Sequence, residues 1–143
     1  MNPSIINLSV PVLVIDDSRT MTTIISRLAL DVGFTNVDQV NDGASALARL
    51  REKKYGLVLS DWDMRPMNGT ELIAQIRKDP ANSRALVIMI TAKCDADVSW
   101  LSGADGYLSK PFKAPDLREK IEEVMAQQVD DATGVMKASE QLS

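Results

Sequence analysis

The chain has 143 residues, 45% hydrophobic and 25% charged, with a formal net charge of −4, a size and balance suited to one globular domain and without the concentrated basic face that nucleic acid requires. It contains no histidine and one cysteine, Cys94, which rules out histidine acid–base chemistry, histidine metal ligation, Ser-His-Asp triads and an internal disulfide. No apolar run approaches the ~20 residues of a membrane helix and no basic residue precedes the first such run, so neither a membrane segment nor a secretory signal is expected and the expected location is the cytoplasm.

Val10–Ile15 is almost continuously apolar, as in a strand covered on both faces, and it stops at Asp16-Asp17. Ser18 then caps a helix whose apolar positions Met21, Ile24, Ile25, Leu28, Ala29 and Val32 follow helical spacing, with Gly33 as its stop. Val37–Val40 is a weaker strand, followed by Asp42-Gly43 and a helix carrying Ala44, Leu47, Ala48 and Leu50. A third strand, Leu57 to Leu59, leads into Ser60-Asp61. The next helix, from about Gly69 to Arg77, presents Leu72, Ile73 and Ile76, and Pro80 bars its continuation. Leu86–Ile90 is a fourth strand ending at Thr91, a short helix is expected near 96–102, and a fifth strand at Ala104–Leu108. Leu117, Ile121, Val124 and Met125 give a last helix its apolar stripe. Strands alternating with crossover helices predict an α/β fold, a parallel five-stranded sheet flanked by five helices on its two faces. Residues 1–9 read as an extension and 10–129 as the domain. The periodicity fades from Asp130 onward, so 130–143 reads as a disordered tail.

In an open parallel sheet, functional groups gather at the carboxyl ends of the strands. Here those ends carry Asp16-Asp17, Asp61 and Thr91, with Lys110 after the fifth strand, and all of them should converge on one sheet edge. Two unit charges ~4 Å apart cost about 4 kcal/mol at an effective dielectric of ~20, so three carboxylates together need a cation or a retained proton. Oxygen ligands favour a hard ion, and Mg²⁺ is the expected one because it keeps waters and bridges to phosphate. Lys110 suits a phosphoryl oxygen. A carboxylate nucleophile, a divalent ion and a lysine together make a phosphoryl-transfer site.

Asp16-Asp17 after Val-Leu-Val-Ile, Asp61 followed by Met64, Met67 and Gly69, Thr91-Ala92, and Gly103-Ala104-Asp105-Gly106-Tyr107 before Lys110-Pro111-Phe112 resemble the receiver domain of two-component response regulators, over roughly Val10 to Met125. The resemblance implies a doubly wound, flavodoxin-like sheet of order 2-1-3-4-5 and a CheY-like single-domain regulator. It further implies that Asp61 accepts a phosphoryl group from a phosphohistidine on a sensor histidine kinase or a histidine phosphotransfer protein. Asp16, Asp17 and Asp61 would hold Mg²⁺ with the backbone carbonyl of Asp63. Lys110 would pair with the acyl phosphate, the Lys110-Pro111 bond being cis, and Thr91 would hydrogen-bond a phosphoryl oxygen. Tyr107 would rotate inward as Thr91 moves and change the face made by the fourth helix, fifth strand and last helix. Such a protein is a phosphoacceptor rather than an enzyme, with at most self-phosphorylation from small phosphodonors and autodephosphorylation, and its output runs through a downstream protein.

Taken singly, Asp16-Asp17 reads as a solvated strand end or a helix N-terminal charge pair, Thr91 as a strand-end residue or cap and Tyr107 as half-buried packing; their joint register favours the site. Trp62 reads as a lid, Met64 and Met67 as packing, Cys94 as an inert thiol, and Trp100 and Phe112 as core or partner-facing anchors. Arg49, Arg51, Lys53 and Lys54 read as a solvated helix face. Asp61-Trp62-Asp63 also matches the Asp-x-Asp of haloacid-dehalogenase-type phosphatases, but Arg65 stands where those enzymes expect threonine or valine. The alternative function is a pseudo-receiver, an interaction module that is not phosphorylated; the full set Asp16, Asp17, Asp61, Thr91 and Lys110 argues against it. Compared with the family, Arg65-Pro66 replaces a proline directly after Met64, and the stretch from Thr91 to Tyr107 is short, so a flagellar-motor target does not carry over. Asp63 adds a carboxylate where the family varies residues that tune dephosphorylation. The phosphoryl half-life of Asp63→Asn, measured beside wild type, is therefore expected to differ; equal half-lives would exclude a tuning role for Asp63.

Overall fold

Val12–Ile15, Leu57–Asp61 and Leu86–Thr91 are buried along their whole length, the state expected of strands with helices packed on both faces. The computed structural model describes residues 8–61, 69–91 and 103–132. Those residues form β1 (Val12–Ile15), α1 (Arg19–Val32), β2 (Val37–Val40), α2 (Gly43–Glu52), β3 (Leu57–Asp61), α3 (Gly69–Lys78), β4 (Leu86–Thr91), β5 (Gly106–Ser109) and α4 (Ala114–Ala132). The strands are all parallel and lie in the order β2-β1-β3-β4-β5, as expected. The helix expected at 96–102 lies outside the described residues, so α4 corresponds to the helix expected last. It runs to Ala132. No helix among the described residues is long and apolar enough to cross a membrane.

Strand alternation divides the core in two. Leu13, Ile15, Val58, Val87 and Met89 meet Leu50 of α2 and Leu72, Ile73 and Ile76 of α3. Val12, Val14, Leu57, Leu59, Ile88 and Ile90 meet Ile25 and Ala29 of α1 and Leu117, Ile121 and Val124 of α4 on the other face. Each Val, Leu, Ile or Met side chain among them stabilises the fold by about 1.5–3 kcal/mol on full burial. Both central layers therefore hold the sheet fixed beneath its polar edge.

The caps behave as their residue types dictate. Ser18 Oγ accepts the Met21 N–H at 3.2 Å and the Asp42 carboxylate accepts the Ser45 N–H at 2.6 Å. Gly33 closes α1 at φ 127°, its N–H reaching the Ala29 and Leu30 carbonyls. A side chain there would be strained by that φ, and its Cβ would come within 2.8 Å of Leu8 Cδ1.

Two strand starts differ from expectation. β1 begins at Val12 rather than Val10 because Pro11 has no N–H for the ladder; its carbonyl instead accepts the Gly56 N–H at 3.0 Å. β5 begins at Gly106 rather than Ala104. Gly103 turns at φ 99°, and Asp105 bonds Val87 twice, its N–H to the Val87 carbonyl (2.7 Å) and its carboxylate to the Val87 N–H (2.8 Å). Arg77 clamps this turn. Its guanidinium donates to the Gly103, Ser83 and Ala85 carbonyls and pairs with Asp105 at 2.9 Å.

Two further polar groups pin the loops around α2. Asn82, 1% exposed, accepts the Tyr55 N–H at 2.8 Å and donates to the Leu50 carbonyl at 2.7 Å. Asp38 accepts the Tyr55 hydroxyl and pairs with Lys53 at 3.0 Å, while the Lys53 ammonium lies 5.3 Å from the centre of the Tyr55 ring. Lys53 is thus a tether, not part of a merely solvated helix face. Burial raises the Asp38 carboxyl, but the Tyr55 hydrogen bond and the Lys53 hydrogen bond and charge outweigh it and hold it below its ordinary value. Tyr55 is pushed up by burial and by Asp38, so the phenol keeps its proton.

Asn82→Ala leaves a buried N–H and a buried carbonyl without partners and should destabilise the fold by about 2 kcal/mol or more, read from the urea midpoint; an unchanged midpoint would contradict the pinning role. Asp38, depressed in the native state, contributes stability that is present above its unfolded pKa of about 3.9 and is lost as pH falls through its lower native value. Acid titration of stability should therefore fall less steeply below about pH 4 in Asp38→Asn than in wild type; superimposable slopes would contradict it.

Candidate functional site

Each sequence-marked residue sits where its strand delivers it. β1 and β3 are neighbours with Ile15 opposite Ser60, so the next residues, Asp16 and Asp61, emerge side by side at the carboxyl edge. β4 ends at Thr91, opposite Ser109 of β5, and the Lys110 N–H donates to the Thr91 carbonyl at 2.8 Å. That bond places the Lys110 side chain over the same edge, and the Lys110-Pro111 peptide bond is cis.

Asp16, Asp17 and Asp61 each offer a carboxylate oxygen, and the three lie within 4.8 Å of one another. Asp16 and Asp61 are 1% and 6% exposed, whereas Asp17 is exposed. Repulsion within that spacing is about 3.5 kcal/mol or more per pair at an effective dielectric of ~20, less where water screens Asp17. Lys110 relieves part of it: its ammonium lies 3.1 Å from Asp16 Oδ2 and 3.4 Å from Asp61 Oδ1. Burial pulls the Lys110 pKa down, but the charge of Asp61 and the hydrogen bond and charge of Asp16 more than offset this and raise it above its ordinary value. The ammonium is therefore retained at neutral pH.

Three carboxylates against one ammonium leave two negative charges, which one divalent cation would balance. The donor chemistry fits that ion. All three groups are oxygen ligands, and the Asp17 carboxylate makes no hydrogen bond or ion pair with another described residue. An all-oxygen set of this charge suits Mg²⁺, with water filling the remaining positions.

The acid pair is anchored locally. Asp16 Oδ1 accepts the Ser18 N–H at 2.9 Å, and the Asp16 carbonyl accepts a hydrogen bond from Asn41 Nδ2 at 2.9 Å. Asn41 carried no functional mark in the sequence. Asn-Asp-Gly after a strand reads as turn chemistry, and only its approach to Asp16 from the neighbouring strand gives it another meaning.

Thr91 is 6% exposed at the end of β4. Tyr107 on β5 is half-buried against the core between the sheet and α2 and α3, and burial raises its hydroxyl pKa. Phe112 packs against the opposite core cluster, which favours its reading as core. Trp62, Asp63, Met64, Arg65, Pro66, Met67, Cys94 and Trp100 lie outside the described residues, and with them the expected Asp63 carbonyl ligand, the Trp62 lid and the altered loop after Asp61.

Residues 12–122 match the family described as the response regulator receiver domain. The chain is 35% identical over 124 residues to chemotaxis protein CheY-3 of Vibrio cholerae serotype O1, covering 85% of this chain and 95% of that protein. It is 37% identical over 116 residues to chemotaxis protein CheY of Pseudomonas aeruginosa, covering 79% and 94%. Among solved structures, the chemotaxis response regulator CheY4 of Vibrio cholerae superposes with a TM-score of 0.75 at 27% identity, covering 81% of this chain and 98% of that one. With a five-stranded parallel sheet of the same kind and an acidic edge facing a lysine, the chain belongs to the response regulator receiver domain family.

Proposed function

We propose that this receiver takes up a phosphoryl group on Asp61 from a phosphohistidine of a sensor histidine kinase or a histidine phosphotransfer protein, in a Mg²⁺-dependent reaction in the cytoplasm. What carries the reading is the meeting of the Asp16, Asp17 and Asp61 carboxylates within 4.8 Å, with Lys110 bridging two of them. The absence of histidine from the chain supports a donor on another molecule. In the transfer, an Asp61 carboxylate oxygen forms the new O–P bond, the P–N bond breaks, and its electron pair returns to the imidazole of the donor.

Asp16, Asp17 and Asp61 would hold Mg²⁺, with the Asp63 backbone carbonyl as a further ligand. When bound, the ion neutralises charge so that an anionic phosphoryl group can approach an anionic nucleophile. Lys110, already within 3.4 Å of Asp61, would turn its ammonium to a phosphoryl oxygen once that oxygen occupies the edge. The Thr91 hydroxyl would hydrogen-bond a second oxygen. Movement of Thr91 would draw in Tyr107, on the adjacent strand, and alter the outer face near β5 and α4. A shift of that switch from 1:99 to 99:1 needs ~5.5 kcal/mol of differential stabilisation, within reach of several charge-assisted bonds to a dianion.

Acetyl phosphate with MgCl₂ should add one phosphoryl group to wild type, read by intact-protein mass spectrometry. Asp61→Asn and chelation of the metal should each abolish it. A wild type that stays unmodified while folded would favour the pseudo-receiver.

A further inference from the structure

Asp17 is the exposed member of the acid cluster, and its side chain has no hydrogen-bond or ion-pair partner among the described residues. Its place is therefore set through the backbone. The Asp16 N–H donates to the Val40 carbonyl at 3.3 Å, the last rung between β1 and β2. β2 then ends, and the Asp16 carbonyl takes its bond from the side chain of Asn41 instead, at 2.9 Å. That carbonyl shares one rigid plane with the Asp17 N–H, so a bond to the first orients the second, and with it the direction in which the Asp17 side chain leaves the backbone.

The amide is itself held. Asn41 Nδ2 also donates to Thr22 Oγ1 at 3.3 Å, and the Thr22 hydroxyl, on a residue 1% exposed, donates to the Arg19 carbonyl at 3.0 Å. Its sense is fixed by chemistry, because a flipped amide would set Oδ1 against the Asp16 carbonyl oxygen, acceptor facing acceptor. Asn41 thus joins the end of β1, the end of β2 and the first turn of α1 at one peptide unit.

We infer that Asn41 is a positioning residue for the acidic site, its side-chain amide fixing the Asp16–Asp17 peptide plane so that Asp17 faces a divalent cation, an inference that rests on the Mg²⁺-dependent reading above. Partners of this kind, one bond removed from a metal ligand, typically affect affinity as well as stability.

The test is a MgCl₂ titration of the ¹⁵N-labelled full chain followed by amide NMR, with urea unfolding in parallel, on wild type, Asn41→Leu, Asn41→Ala and Thr22→Val. Leucine matches asparagine in shape but donates nothing and keeps water from the carbonyl; Asn41→Leu should weaken Mg²⁺ binding about tenfold. Asn41→Ala should weaken it less, since water can replace the donor, and Thr22→Val should give a smaller loss through the freed amide. Wild-type affinity in Asn41→Leu and Thr22→Val, whatever their urea midpoints, would overturn the inference and leave a purely structural bond. Should Asn41→Leu fail to fold, Asn41→Ala and Thr22→Val decide in the same way. A wild type with no Mg²⁺ response would instead overturn the proposed function, and this inference with it.

Discussion

The Lys110 ammonium stands between two buried carboxylates, 3.1 Å from Asp16 and 3.4 Å from Asp61, and the chemistry of the molecule follows from that contact. Removing two anions from water is costly unless a positive charge accompanies them. The sheet makes the burial unavoidable: β1 and β3 are adjacent, and both are apolar up to their last residues. Lysine meets part of the demand and leaves the edge with net negative charge, on which the proposed uptake of a divalent cation and phosphate would draw. A carboxylate cluster fully neutralised by its own protein would have no such use.

Around this charged edge, long-range polar contacts give the loops fixed positions. Arg77 ties the end of α3 to the turn before β5, Asn82 ties the turn before β4 to the end of α2, and Asn41 ties β2 to the peptide between the two acids. Each partner is distant in sequence, and each bond satisfies a backbone group for which the sheet ladder supplies no mate. The strands set the layout of the site, and these side chains hold its borders.

This division explains what could be read from the residues alone. Val-Leu-Val-Ile before Asp16, Leu-Val-Leu-Ser before Asp61 and Leu-Val-Ile-Met-Ile before Thr91 announce strands and mark where they end, because two-sided burial leaves a continuous apolar run. Sheet order then brings those ends together. The starts of β1 and β5 were less legible: Pro11 removes a donor, and Asp105 pairs with Val87 outside the strand proper. Nothing in the sequence sets Asn41, Asn82 and Arg77 apart, since their meaning depends on neighbours that only the fold supplies. Lys53 reads as solvated for the same reason; its partner, Asp38, lies on another element.

That Lys53–Asp38 pair bears on how copies of the protein treat one another. β2 lies at one margin of the sheet, with backbone groups that no neighbouring strand among the described residues covers on its outer side. A foreign strand adding itself there would have to settle beside a carboxylate and an ammonium already satisfied by each other and by Tyr55, on a strand only four residues long. Short length and fixed charge are the usual means by which proteins discourage edge-to-edge stacking. The tether that anchors a loop therefore also makes this edge a poor template for a foreign strand.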